Sequence, residues 1–163
     1  MLWGIIQSTI ITLQSERSEI RSQRSEVRNQ NSEIRDRNMK INSAKDLEVY
    51  KKTYALAMQI FEISKTFPKE ERYALTDQIR RSSRSVCLNL REAWAKRRYE
   101  AHFISKLTDW DGENNETDSS LDFAYDCDYV KTGTHKTLTG LASEVGKMLG
   151  SMINNPYSFL IKQ

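Results

Sequence analysis

FPKEERYALTDQIRRSSRSVCLNLREAWAKRR, residues 67–98, decides the fold of this chain. Pro68 suits the first turn of a helix, where its missing N–H would have had no intrahelical acceptor. Glu70 and Glu71 follow where carboxylates favour the positive end of the helix dipole. Leu75, Ile79, Ser82, Val86, Leu90 and Ala93 then recur every three or four residues as one narrow apolar stripe. Arg80, Arg81, Arg84 and Arg91 lie largely off that stripe, and Lys96, Arg97 and Arg98 close the C-terminal end. The spacing predicts a basic amphipathic helix over residues 69–95. No reaction can be read from it.

Three further helices are expected around it. Leu47, Tyr50, Tyr54, Ala57, Met58 and Phe61 recur at helical spacing within residues 44–66, and the Phe67–Pro68 step ends that helix. Residues 99–127 carry Phe103, Leu107, Trp110, Leu121, Ala124 and Tyr125 around a polar stretch, GENNET. Gly112 weakens this segment by about 1 kcal/mol relative to alanine, yet no proline interrupts it. Leu138, Leu141, Val145, Met148, Leu149 and Met152 mark the last helix, 135–154, which stops before Pro156. Four amphipathic helices with short connections imply an all-α, up-and-down four-helix bundle over 44–156, with a loosely attached tail at 157–163.

Residues 1–43 read differently. SEIRSQR (18–24), SEVRNQN (25–31) and SEIRDRN (32–38) repeat every seven residues. A coiled coil needs two apolar positions per heptad, and here the second is Gln, Arg or Asn. One Ile or Val per two turns cannot offset the entropy of ordering the segment. A poorly packed or disordered N-terminal extension is expected. A tandem nucleotide repeat would encode such heptads, so Met39 is a candidate natural start.

Composition bounds the rest. The 163 residues suffice for one domain with a proper core. Six glycines and two prolines leave few breakpoints, which favours long helices. A net charge of +3 is too mild to establish a nucleic-acid partner unless it is concentrated on one face. Cys87 and Cys127 fit neither a metal site nor a disulfide framework, and are expected to be reduced, packed side chains. The apolar start MLWGIIQSTIITL has no basic n-region and is shorter than the roughly 20 residues that span a bilayer. No membrane association and a cytoplasmic location are the default.

Residues 46–93 resemble a bacterial four-helix-bundle family first noticed as reading frames inside intervening sequences of large-subunit ribosomal RNA. That family shows an FP-x-x-E-x-x-x-L-x-x-Q-[IL]-R-R run followed by an asparagine and a glutamate. Phe67, Pro68, Glu71, Leu75, Gln78, Ile79, Arg80, Arg81, Asn89 and Glu92 match it. DFAYDCDYV (122–130) and EVGKML (144–149) look like its ends of helices three and four. There are two departures: Trp94 or Ala95 replaces a glycine after helix two, and Asp128 stands where a glycine normally ends helix three. The resemblance implies a homo-oligomer, often a pentamer, and similarity to the RNA-handling accessory protein of diversity-generating retroelements. An RNA-related role, or a role as subunit to a retroelement reverse transcriptase, is implied by that likeness alone.

Two sets of side chains are candidates for function. Arg84, Arg91, Lys96, Arg97 and Arg98 are candidate phosphate contacts for RNA or single-stranded nucleic acid. Gln78, Arg80 and Arg81, with Asp109, Glu113 and Glu116 on one face of helix three, are candidates for ion pairing or a subunit interface. The acidic helix is the competing partner for the whole arginine cluster. Tyr50, Tyr54, Phe61, Phe67, Tyr73, Phe103 and Trp110 are expected in the core, leaving Trp94 and Tyr99 as the aromatics placed to stack on bases. A bundle metal site would need Glu-x-x-His pairs, and neither His102 nor His135 has a glutamate three residues before it. Ser82, Ser83 and Ser85 lack a nucleophile elbow and a nearby histidine. No enzyme, cofactor or metal is therefore expected. A purely structural self-assembling protein is the rival reading.

Overall fold

The computed structural model describes residues 19–21, 24, 26 and 41–161. Glu19, Ile20, Arg21, Arg24 and Glu26 are helical and exposed. The rest of the heptad repeat and Met39 lie outside the described residues.

Four long helices follow: α1 (Glu48–Ile63), α2 (Leu75–Lys96), α3 (Glu100–Asp126) and α4 (Thr132–Asn154). Each packs on its sequence neighbour, and α4 returns to α1, which closes an up-and-down bundle. A capped 3-10 turn, Ala44–Asp46, leads into α1. There the Asp46 carboxylate accepts from the N–H of Ser43 at 2.8 Å and of Asn42 at 3.0 Å. At the heart of the bundle Leu56, Ile60, Phe67, Ile79, Leu121, Ala124, Val130, Leu138 and Ala142 form one buried cluster.

The stripe read for α2 is the one buried, whereas the stripe read for α1 is rotated. Val49, Thr53, Leu56, Ala57 and Ile60 face inward, and Tyr50, Tyr54 and Phe61 lie on the adjoining, partly open side. Thr53 belongs inside because its hydroxyl donates to the Val49 carbonyl at 2.7 Å, which hides its polarity.

The helix expected from residue 69 starts later. Lys69–Tyr73 is a 3-10 turn, Ala74 breaks the helix at φ −117°, ψ −111°, and α2 begins at Leu75. Glu71 accounts for this break. Its carboxylate accepts the Leu75 N–H at 3.1 Å, capping the first turn of α2, and also accepts the Tyr129 hydroxyl at 3.2 Å. The glutamate of the FP-x-x-E run is thus a cap that also ties α2 to the loop after α3.

That loop turns on Asp128, which adopts φ 62°. The Tyr129 N–H reaches back to the Ala124 carbonyl at 2.9 Å and the Asp128 N–H to that of Tyr125 at 2.9 Å, the two bonds of a Schellman ending. The left-handed residue that a glycine would supply is here an aspartate.

The tail is held more firmly than expected. Pro156 is buried, Phe159 lies 6.3 Å from the Phe103 ring, and the Ile161 N–H bonds the Arg97 carbonyl at 3.2 Å. These contacts pin residues 156–161 to the corner between α2 and α3.

Candidate nucleic-acid and subunit interfaces

The amphipathic α2 presents two polar edges on either side of its buried stripe. Successive residues step 100° around a helix, so Arg80, Arg84 and Arg91 fall on the edge toward α1, and Gln78 falls on the edge toward α3.

On the first edge the arginines meet the displaced aromatic row of α1. The Arg80 and Arg84 guanidiniums lie 5.2 and 5.7 Å from the Phe61 ring centroid, and the Lys65 ammonium lies 4.6 Å from it. Arg80 Nε also donates to Ser64 Oγ at 2.7 Å. Tyr50 and Tyr54 stack with centroids 6.3 Å apart, and Tyr54 is 54% exposed. Burial raises the Tyr50 phenol above its ordinary range, the neighbouring Cys87 thiol adds to this, and Arg91 opposes it. Arg91 shares this edge of α2 with Arg80 and Arg84, so three guanidiniums lie on the side of α2 that faces the aromatic row of α1.

The second edge overhangs an open groove of about 620 Å³ between α2 and α3. Arg81 Nη2 donates to Gln78 Oε1 at 2.8 Å, and Gln78 Nε2 donates to Glu116. Glu113 sits alongside, its carboxyl raised by burial and by the negative charge of Glu116, with Arg81 pulling the other way. Tyr73 at 86% and Phe123 at 63% exposure flank the groove as large apolar side chains open to solvent.

The expected salt bridges between the arginine cluster and α3 do not form. Among the described residues no arginine forms a salt bridge with a carboxylate, and two acidic side chains of α3, Asp109 and Asp122, meet other partners. Lys106 bridges Asp109 at 3.0 Å and Glu92 at 3.2 Å, while His135 meets Asp122 at 2.8 Å. Geometry also regroups the candidates: Arg80 joins Arg84 and Arg91, and only Arg81 stays with Gln78, Glu113 and Glu116. The Lys96–Arg98 run lies beyond Arg91 at the α2–α3 corner. Arg97 is engaged there, stacked 4.1 Å from the Trp94 ring centroid and donating to the Trp94 carbonyl at 2.6 Å. Lys96, Arg98 and Tyr99 remain exposed. Of the aromatics expected in the core, Tyr54 and Tyr73 are exposed and Tyr50 and Phe61 half-buried, although the spacing of Tyr50, Tyr54 and Phe61 already set them on one face, apart from Val49, Leu56 and Ile60.

Cys87 is buried, which pushes its thiol up to about 11, whereas Cys127, expected to be packed, is an exposed free thiol at the C-cap of α3. Among the described residues no cluster of three or more acidic, histidine or cysteine side chains is placed to hold a metal ion. Among them too, no helix is long and apolar enough to cross a membrane.

The family model of the 23S rRNA-intervening sequence protein matches residues 45–151, nearly all of the four-helix core just described. The chain belongs to that family. A solved structure with the same fold is that of a protein of unknown function from the S23 ribosomal protein family of Bacteroides thetaiotaomicron. It is 29% identical, with a TM-score of 0.60 over 66% of this chain and 96% of that one. No curated protein matches this 23S rRNA-intervening sequence protein family member.

Proposed function

We propose that this chain is a non-enzymatic, self-associating bundle that binds unpaired RNA along the α1–α2 edge. In this reading copies join through the α2–α3 groove into a homo-oligomer, with a pentamer as the expected ring. One observation carries the RNA reading: Arg80, Arg84 and Arg91 have no carboxylate partner among the described residues and share the edge of α2 toward α1, where Arg80 and Arg84 lie over Phe61 and Tyr50 stacks on the exposed Tyr54. Guanidiniums neutralise phosphates, and exposed rings stack on bases that a duplex would hide. The family's description, which names ribosomal RNA, supports the same choice of polymer. Support for self-association comes from the apolar Tyr73 and Phe123 flanking a groove whose polar floor is already ordered by Arg81 and Gln78.

Binding of an unstructured RNA oligonucleotide, measured across a salt series, tests this reading. Each phosphate neutralised contributes a slope of about −0.7 in log K against log salt for single strands. Arg84→Gln with Arg91→Gln should flatten the slope by about 1.4, and Tyr54→Ala should weaken binding with the slope retained. Light scattering should give a mass several times that of one chain for the wild type and for both variants. Absence of RNA binding at low salt would leave a purely structural self-assembling protein. Loss of the oligomer in the arginine variant would assign that edge to subunit contacts.

A further inference from the structure

The seam where α3 meets α4 is independent of the two edges of α2. Asn114 and Asp118 lie one turn apart on the same face of α3. Gly146 on α4 lets the helices close there, since a Cβ at that position would stand 3.4 Å from Asn114 Nδ2. Asn114 is only 4% exposed, and its Nδ2 donates to the Ala142 carbonyl at 3.1 Å, which fixes the orientation of the amide. Asn114 Oδ1 is then a buried acceptor with no donor among the described residues, and Asp118 Oδ1 is a second. The Trp110 indole N–H, one turn earlier, is also buried and unpaired, so it serves neither oxygen. Two neighbouring buried acceptors destabilise the seam for as long as neither holds a hydrogen.

We infer that the seam is a proton-operated latch: as the pH falls, Asp118 takes up a proton on its buried oxygen and donates it to Asn114 Oδ1, tightening α3 against α4. One proton turns the first acceptor into a donor, satisfies the second and removes a negative charge from the contact. The bonded series then runs from Asp118 through Asn114 to the Ala142 carbonyl, across the two helices. Asp118 is half-buried and also lines an open cavity of about 380 Å³, which gives the proton a route from solvent. Burial raises the Asp118 carboxyl above its ordinary value, the Asp122 charge adds to this, and His135 pulls the other way. The remaining charges on this side are Asp111 of α3 and Lys147 of α4, which line the cavity, while the His135 ring is bonded to Asp122 at 2.8 Å. The other neighbour, α2, meets the opposite flank of α3, where Arg81 faces Glu113 and Glu116. Because the folded state prefers the proton more than the unfolded chain does, the latch contributes fully below the unfolded midpoint and is lost as pH rises through the folded one.

Carboxyl carbon shifts of the full chain, followed by NMR from acid to neutral pH, read the Asp118 midpoint directly. It should lie above that of the same residue in the urea-unfolded chain. The Asn114 side-chain amide resonances should move with the same midpoint, a readout that needs no variant to fold. Asn114→Ala should pull the Asp118 midpoint down toward the unfolded value, because the hydrogen bond to the neutral acid is lost while Asp122 and His135 remain. Asp118→Asn puts a permanent amide donor in place of the acid. At neutral pH it should raise the folded-to-unfolded ratio by at least about fivefold, the low end for satisfying a buried acceptor. An Asn114 amide that ignores the Asp118 titration would mean that water serves its oxygen, and would overturn the latch. So would an unchanged Asp118 midpoint in Asn114→Ala, or an Asp118→Asn variant no more stable than the wild type at neutral pH.

Discussion

Replacing Gly112 by alanine should make the protein more stable, and the structure sets how much. Gly112 is exposed in the interior of α3, and nothing lies within 4 Å of where its Cβ would stand. The gain is therefore the bare difference in helix propensity, about 0.8–1.0 kcal/mol, part of it entropy removed from the unfolded chain. For a domain of this size that raises the thermal midpoint by about 3–5 °C. Urea unfolding followed by circular dichroism should show a midpoint about 0.3–1 M higher with an unchanged m value. Gly146→Ala is the matched control: it has the same propensity gain, but its new methyl would meet the Asn114 amide at 3.4 Å, so its benefit should be smaller. A loss of stability in Gly112→Ala would refute the reasoning. Either α3 is not continuous through the polar GENNET stretch, or another copy covers this face. Sedimentation of the variant separates the two, because a covering copy would be displaced.

Two other perturbations follow from the geometry. At Asp128, φ 62° costs a β-branched residue about 1–2 kcal/mol, so Asp128→Val should lose that much in the same urea experiment. Asp128→Gly should gain up to about 1 kcal/mol, limited by the greater freedom of glycine in the unfolded state. For the cysteines, iodoacetamide should alkylate one thiol, Cys127, in the native protein and two in denaturant. Burial holds Cys87 protonated, with its thiol up at about 11, and rapid labelling of both in the folded state would contradict that.

Most of the fold was legible because α2 and α4 separate apolar from polar positions cleanly. The Phe67–Pro68 step closes the segment of α1 and Pro156 the end of α4, as proline chemistry requires. The start of α2 was not legible. Pro68 with Glu70 and Glu71 looks like a helix N-terminus, and only the fold reveals that Glu71 caps a second start at Leu75. Of the candidate sites, the pairing of Gln78 with Glu116 could be anticipated from their faces on adjacent helices. Arg80 could not be sorted from Arg81 until the neighbour on each side of α2 was known.

The rotated stripe of α1 has the same physical origin as the candidate RNA edge. Sequence patterning counts tyrosine and phenylalanine as core and threonine as surface, and in α1 the bundle does the reverse. Thr53, Ser82 and Thr117 are fully buried, with hydroxyls that bond carbonyls three or four residues back in their own helices. The Ser82 and Thr117 oxygens also meet across the α2–α3 contact at 3.0 Å. Once bonded in this way, a hydroxyl packs as a small group and lets helices approach closely. The large rings of the interior come from α3, as Phe103 and Trp110, while the inward positions of α1 go to Val49, Thr53, Leu56, Ala57 and Ile60. The aromatic residues of α1 are then placed at the rim, where Arg80, Arg84 and Arg91 flank them. The compactness of the interior and the composition of the exposed strip are therefore two consequences of one packing choice.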